Sequence, residues 1–210
     1  MTPLAALTID DIRAALAARH PDTAPSGTAA RHAAVALILN EGDDGLEVLF
    51  MKRAEHPEDP WSGQMALPGG RRDPEDASLI EAAIREAREE VGLDLHPDDC
   101  LGRLDDLYGA GRLASFDLSI SPFVFYLPER IALTHNYEVA ATVWVPLAFL
   151  GDATNIRTYH FPLDPMKRAF PSLPFGEYII WGLTYRILVG FTALFGASLP
   201  LDWDTPQEVE

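Results

Sequence analysis

The residues best placed to do chemistry stand together as Arg85-Glu86-Ala87-Arg88-Glu89-Glu90, just ahead of Val91-Gly92-Leu93. At about 100° per residue on a helix, Glu86, Glu89 and Glu90 share one flank of an apolar stripe made by Ile80, Ile84, Ala87 and Val91. Glu81, Arg85 and Arg88 fall on the other flank. Like charges at helical contact spacing repel by a few tenths of a kcal/mol per pair, roughly, so the acidic flank calls for compensation. An oxygen-only anionic cluster suits a hard divalent cation, above all magnesium, which keeps waters and substrate phosphates among its ligands. Arg85 stands four residues before Glu89 and can pair and orient it. The competing reading is a solvated helix face held by Glu81–Arg85 and Arg85–Glu89 ion pairs.

The elements around these residues are arranged to position them. Ser78 and Glu81 form a capping-box pattern at the start of the helix, and Gly92 supplies its stop. Before it, Gly63-Gln64-Met65-Ala66-Leu67-Pro68-Gly69-Gly70 reads as a short strand ending in a tight turn. Ala33–Leu39 and Leu46–Met51 read as a β-hairpin around Asn40–Gly45, and a Pro-rich acidic loop, Glu55–Ser62, follows. Further strands are expected at Gly102–Tyr108, Leu118–Tyr126, Val139–Val145 and Asn155–Phe161. A helix is expected over Thr8–Arg19 with Thr8 as its cap, and an apolar one near Ile179–Phe195. Strands on both sides of a mid-chain helix give an α+β fold, not the βαβ alternation of a doubly wound sheet.

From Gly69-Gly70 through Arg85–Leu93 the chain strongly resembles the Nudix box. The resemblance implies an α/β/α sandwich with a mixed sheet over residues 31–200, carrying an N-terminal helix and linker (1–30), an apolar C-terminal helix and an acidic tail (201–210). It also implies Glu86, Glu89 and Glu90 as ligands of Mg2+, with Mn2+ as a substitute, and hydrolysis of a diphosphate bond. Two stretches look like the coenzyme A diphosphatase branch: Gly63–Gly70, and the Arg72-Asp73-Pro74 run. Ile180-Trp181-Gly182-Leu183-Thr184 is similar to that branch's final helix. There are departures. The spacing from Gly70 to Arg85 is one residue longer than in the common box, so that counting back from Arg85 sets Ala77, without a carboxylate, at the outer acidic position. The arginine expected between Arg53 and Gly63 is absent.

The substrate class expected is therefore a nucleotide-linked diphosphate, coenzyme A or a related nucleoside diphosphate derivative, with ADP-ribose or a nucleotide sugar as alternatives. A nucleotide-binding module that does not cleave is the reading from another class. Glu89 or Glu90 would accept a proton from the attacking water, Glu138 is a second candidate base, and Arg85 belongs to the catalytic group. Arg53, Gly69, Gly70, Arg71 and Arg72 flank the glycine turn and are the expected contacts to the diphosphate.

Composition narrows the alternatives. The formal net charge of -16 opposes nucleic acid and anionic membrane as partners, while a small anionic substrate is allowed if a cation intervenes. Tyr178–Leu201 is interrupted by Arg186, which at the centre of a bilayer would cost roughly 2.5 to 3.5 kcal/mol, so a buried helix is expected there. Its nearly all-round hydrophobicity suggests that one face meets a second copy, giving a homodimer. A single cysteine, Cys100, forbids an intrachain disulfide, and with no secretory pattern at Met1–Ala6 the cytoplasm is the expected location. The six histidines show no zinc spacing, and Gly109-Ala110-Gly111 lacks the setting of a dinucleotide fingerprint.

Overall fold

A computed structural model describes residues 4–59, 61–108, 117–162, 164 and 168–200. The Gly109–Gly111 turn and the 201–210 tail lie outside them. The chain opens with α1 (Ile9–Ala17), whose cap Thr8 accepts from the Asp11 N–H while the Asp11 carboxylate returns a bond to the Thr8 N–H. Strands β1 (Arg31–Gly42) and β2 (Gly45–Arg53) make the hairpin, turning through Asp43-Asp44. Next come β3 (Met65–Ala66), β4 (Gly69–Arg71), α2 (Leu79–Val91), β5 (Cys100–Arg103), β6 (Leu118–Leu127) and β7 (Val139–Pro146). The short α3 (Leu147–Leu150), then β8 (Arg157–His160), β9 (Ala169–Phe175), β10 (Tyr178–Trp181) and α4 (Gly182–Ala193) complete the order.

Seven strands form one mixed sheet, in which β1 pairs parallel with β6 and the other pairings are antiparallel. Along β1 the side chains alternate between two cores. Ala34, Ala36 and Ile38 face α2, while Leu37 and Leu39 face the layer holding α1 and α4. Helix layers on both faces of the sheet make the sandwich that the α+β reading implied. The α2 interface is built from small residues, Ala82, Ala83 and Ala87 against Ala34 and Ala36, so the helix lies close to the sheet and carries its acidic flank up to the glycine turn.

Two departures from the expected elements have clear causes. Ile179–Phe195 is not one helix: Tyr178–Trp181 is a strand, and Gly182, at φ +68°, marks the change to α4. A short apolar run does not distinguish a buried strand from a helix; here pairing with β9 decides. Strand β9 itself was hidden by Pro171 and Pro174. The β10 pairing covers Ser172–Phe175 and the β8 pairing Ala169–Ser172, so each proline lies beside only one neighbour and its missing N–H spoils no central ladder.

On α4, Tyr185, Leu188 and Phe191 are wholly buried within the same chain. Of the rest of the helix, Gly190 and Ala193 are exposed and Leu183 and Arg186 half-buried. Among the described residues, no helix is long and apolar enough to cross a membrane.

Candidate active site

Helix α2 is fixed at both ends. Ser78 accepts the Glu81 N–H at 3.4 Å, and Glu81 turns its carboxylate to the Ala77 N–H rather than completing the box at Ser78. At the far end Gly92 adopts φ +71°, and a Cβ there would meet Thr134 Oγ1 at 2.0 Å. The loop that crowds Gly92 is the one that delivers Glu138. The Thr134 N–H donates to Val91 O and the Asn136 N–H to Glu90 O, clamping that loop onto the last turn of α2.

The glycine turn meets the carboxylates directly. Glu90 is buried and accepts the Gly69 N–H at 2.8 Å. Gly69 holds φ +152°, with no room for a Cβ, which would lie 2.3 Å from Ala34 O; a Cβ on Gly70 would lie 2.3 Å from Glu86 Oε1. The two glycines are thus what allows backbone and carboxylates to share this space.

Arg85 organises the acidic flank. Its Nε and Nη2 form a fork on the two oxygens of Asp76, each at 3.0 Å. Nη2 also donates to Arg71 O at 2.9 Å, and Nη1 reaches Glu86 at 3.0 Å and Glu89 at 3.4 Å. Asp76 is buried, and the hydrogen bonds from Arg85 hold its carboxyl below the usual range. Asp76 therefore supplies the carboxylate that the Ala77 alignment appeared to lack. It stands six residues after Gly70, so counting forward from the glycine finds it where counting back from Arg85 does not.

Burial raises the Glu86 carboxyl above its ordinary value; Arg85 opposes the shift, and Glu89 and Glu138 add to it. Glu90 is pushed up to about 8, first by burial, with the Gly69 bond and Arg53 working against the shift and Glu86 and Glu138 with it. Four carboxylates thus act on one another across a single cavity of about 650 Å³, which Glu86, Glu89, Glu90 and Glu138 all line.

Arg53, at the end of β2, and Glu138, in the loop just before its neighbour β7, both line the cavity. The ladder between β2 and β7 slips by one residue at Lys52/Arg53, and such a bulge re-aims the side chain it carries. The Ala54 N–H then donates to Glu138 O at 2.7 Å. Gly69, Gly70 and Arg71 also line the cavity, whereas Arg72 does not. Arg72 instead bonds the carbonyls of Asp76 and Ala77 and braces the loop before α2, a change from the diphosphate contact expected of it.

The acidic flank fits a divalent cation in chemistry: its donors are oxygen only, they repel one another, and Arg85 is shared among three of the carboxylates. Among the described residues no ready-made cage of three ligands exists, because Glu90 is turned to Gly69 while Glu86 and Glu89 face Arg85.

A NUDIX domain model matches residues 30–166, which include the glycine turn, all of α2 and Glu138. The chain belongs to the Nudix hydrolase family. It is 36% identical over 132 residues to the Uncharacterized Nudix hydrolase NudL of Photorhabdus laumondii, covering 60% of this chain and 66% of that protein, just under two thirds of its length. With the NudL protein of Enterobacter sp. (strain 638) it shares 32% over 188 residues, covering 87% of this chain and 92% of the relative. A crystal structure of a MutT/nudix family protein from Enterococcus faecalis superposes with a TM-score of 0.56 at 14% identity, over 90% of this chain and 70% of that one, a likeness of fold. The Nudix cavity therefore rests on α2 and the glycine turn, and the sequence motif and the geometry coincide there.

Of its far wall only Leu183 stood in a stretch that the sequence singled out, Ile180–Thr184. Leu118 and Ile120 of β6, Leu183 and Ile187 of α4, and Trp61 from the loop after β2 converge there only when the sheet and α4 are assembled.

Proposed function

We propose that this Nudix protein hydrolyses a diphosphate bond in a nucleotide-linked substrate, coenzyme A or a related nucleoside diphosphate derivative, with Mg2+ or Mn2+. The observation that carries this reading is the convergence of Glu86, Glu89, Glu90 and Glu138 with the Gly69-Gly70 turn on one cavity, which also has Arg71 at its rim.

Glu86, Glu89 and Glu90 would hold the cation. When bound, magnesium supplies charge relief on phosphoryl oxygens and a water of lowered pKa. Arg71, exposed beside Gly70, can meet a phosphate oxygen as it enters. Glu138, held by the bond from the Ala54 N–H to its own carbonyl, offers a carboxylate to the attacking water; Glu89, exposed on the helix, is the other candidate. Arg85 is a positioning residue in this scheme, because its bonds go to Asp76, Glu86, Glu89 and the Arg71 carbonyl.

The test is turnover with magnesium or manganese against coenzyme A, ADP-ribose, nucleotide sugars, diadenosine polyphosphates and nucleoside triphosphates, with products identified by mass. Cleavage at a diphosphate is expected, with kcat reduced by roughly two orders of magnitude or more in Glu89→Gln and Glu90→Gln. Undiminished turnover in both variants would remove the mechanism. No turnover by the native chain on any of these would favour a module that binds nucleotides without cutting them.

A further inference from the structure

Arg53 ends β2 where the ladder with β7 slips, and its partner there is Val139, the residue after Glu138. Its side chain lines the cavity together with Gly69, Gly70 and Glu90, and lies within electrostatic reach of Glu90. A guanidinium among several carboxylates pairs with the one that offers the best-aligned oxygens. Here that partner is Asp59: Arg53 Nε and Nη2 stand 2.9 Å and 2.8 Å from the same oxygen, Oδ2.

The loop after β2 is built around that carboxylate. Asp59 Oδ1 accepts the Trp61 N–H at 3.0 Å, the Asp59 N–H donates to His56 O, and Asp59 O accepts the Ser62 N–H. The Ser62 hydroxyl accepts the His56 N–H at 2.8 Å, and the Arg53 N–H donates to Gln64 O, closing the loop at its base. Asp59 is therefore fixed by the backbone, independently of the arginine it binds. A guanidinium has two edges that can each grip an oxyanion, Nε with Nη2 and Nη1 with Nη2. Asp59 takes the first. Among the described residues Nη1 has no partner, so the second edge is left for a ligand in the cavity that Arg53 lines.

Building on the diphosphatase reading above, we infer that Asp59 is a positioning residue for the substrate: by gripping one edge of Arg53 it keeps the guanidinium off Glu90 and presents the other edge to the diphosphate. The arrangement separates two tasks. Glu90 stays available to a cation, and Arg53 binds phosphate oxygens. Because Asp59 offsets the charge of Arg53, the contact contributes direction more than net attraction, and a side chain fixed before the ligand arrives loses less freedom in binding it. The loop after β2 thus belongs to the binding machinery, although it lies outside the acidic helix and the glycine turn.

The test is a double-mutant cycle read by binding. Calorimetry in magnesium measures α,β-methylene-ADP, whose diphosphate bridge resists hydrolysis, and steady-state kinetics follow whichever diphosphate the native chain cleaves. Asp59→Asn keeps an acceptor for the Trp61 N–H while releasing Arg53, and should weaken probe binding about fivefold or more, with the loss in turnover falling on KM more than on kcat. Arg53→Lys leaves the loop untouched and can still pair with Asp59, but a single ammonium has no second edge, so a comparable loss is expected. In an Arg53→Met background, Asp59→Asn should change binding by less than about twofold, because Asp59 acts through the arginine. Tighter or unchanged binding in Asp59→Asn, native affinity in Arg53→Lys, or an undiminished effect of Asp59→Asn without Arg53 would overturn the inference, as would failure of the native chain to bind the probe. If no diphosphate is cleaved at all, the diphosphatase reading falls, and the calorimetric cycle still decides the role of Asp59.

Discussion

Glu90 carries a conflict between stability and function that can be measured. Its carboxyl is buried against the Gly69 N–H and titrates near 8 instead of the ordinary 4.5. An acid with a raised folded pKa binds more protons folded than unfolded between those two values, so the folded state loses stability as pH rises from about 4.5 to about 8. Glu90→Gln can still accept the Gly69 N–H. In EDTA at pH 8 it should melt higher than the native chain by about 2 °C or more, a gap that closes toward pH 5 and is read by thermal denaturation across pH. Asp76 behaves in the opposite sense. Its lowered pKa contributes stability that is present at neutral pH and lost in acid. Asp76→Ala removes the fork on Arg85, which keeps Glu86, Glu89 and the Arg71 carbonyl and is itself one-fifth exposed, so a loss on the order of 1 kcal/mol is expected in urea unfolding. The freed Arg85 should also press closer on Glu86 and Glu89, raising the magnesium concentration needed for half-maximal activity several-fold, which Asp76→Glu should partly restore.

The last turn of α2 and the loop before β7 act as one unit, because Gly92 and Thr134 leave no space between them. Gly92→Ala combines positive-φ strain with a clash at Thr134 Oγ1. A stability loss of about 1 to 2 kcal/mol is expected, along with a lower kcat as Glu138 is displaced. Thr134→Ala in the same chain should recover part of the activity, since it removes the nearer of the clashing atoms. If Gly92→Ala lowers stability with kcat unchanged, the loop is not what positions Glu138. On another side of the cavity the Thr184 hydroxyl donates to Met65 O at 2.9 Å and ties α4 to β3, four residues before the glycine turn.

Taken whole, the molecule carries a formal charge of -16 and concentrates several carboxylates around one cavity, so divalent cations should stabilise it by binding and not only by screening. Magnesium at millimolar concentration should raise the melting temperature beyond sodium chloride at matched ionic strength, and Glu89→Gln with Glu90→Gln should erase the difference. Equal effects of the two salts on the native chain would argue against a specific site.

Periodicity and short-range spacing were enough to determine α2, its cap at Ser78, its stop at Gly92, the hairpin of β1 and β2 and the acidic flank. Each of these depends on contacts within a few residues, which local pattern reports. Three things were decided only in the folded chain. Asp76 was legible in principle as the sixth residue after Gly70, yet only its fork with Arg85 shows that it fills the place assigned to Ala77. Strand β9 and the strand half of Tyr178–Phe195 are set by partners, not by propensity, because a proline-bearing or uniformly apolar run takes the structure of whatever it packs against. The far wall of the cavity joins side chains from β6, α4 and the loop after β2; no one-dimensional pattern records that meeting, since it comes into being only when the sheet has closed between its two helix layers.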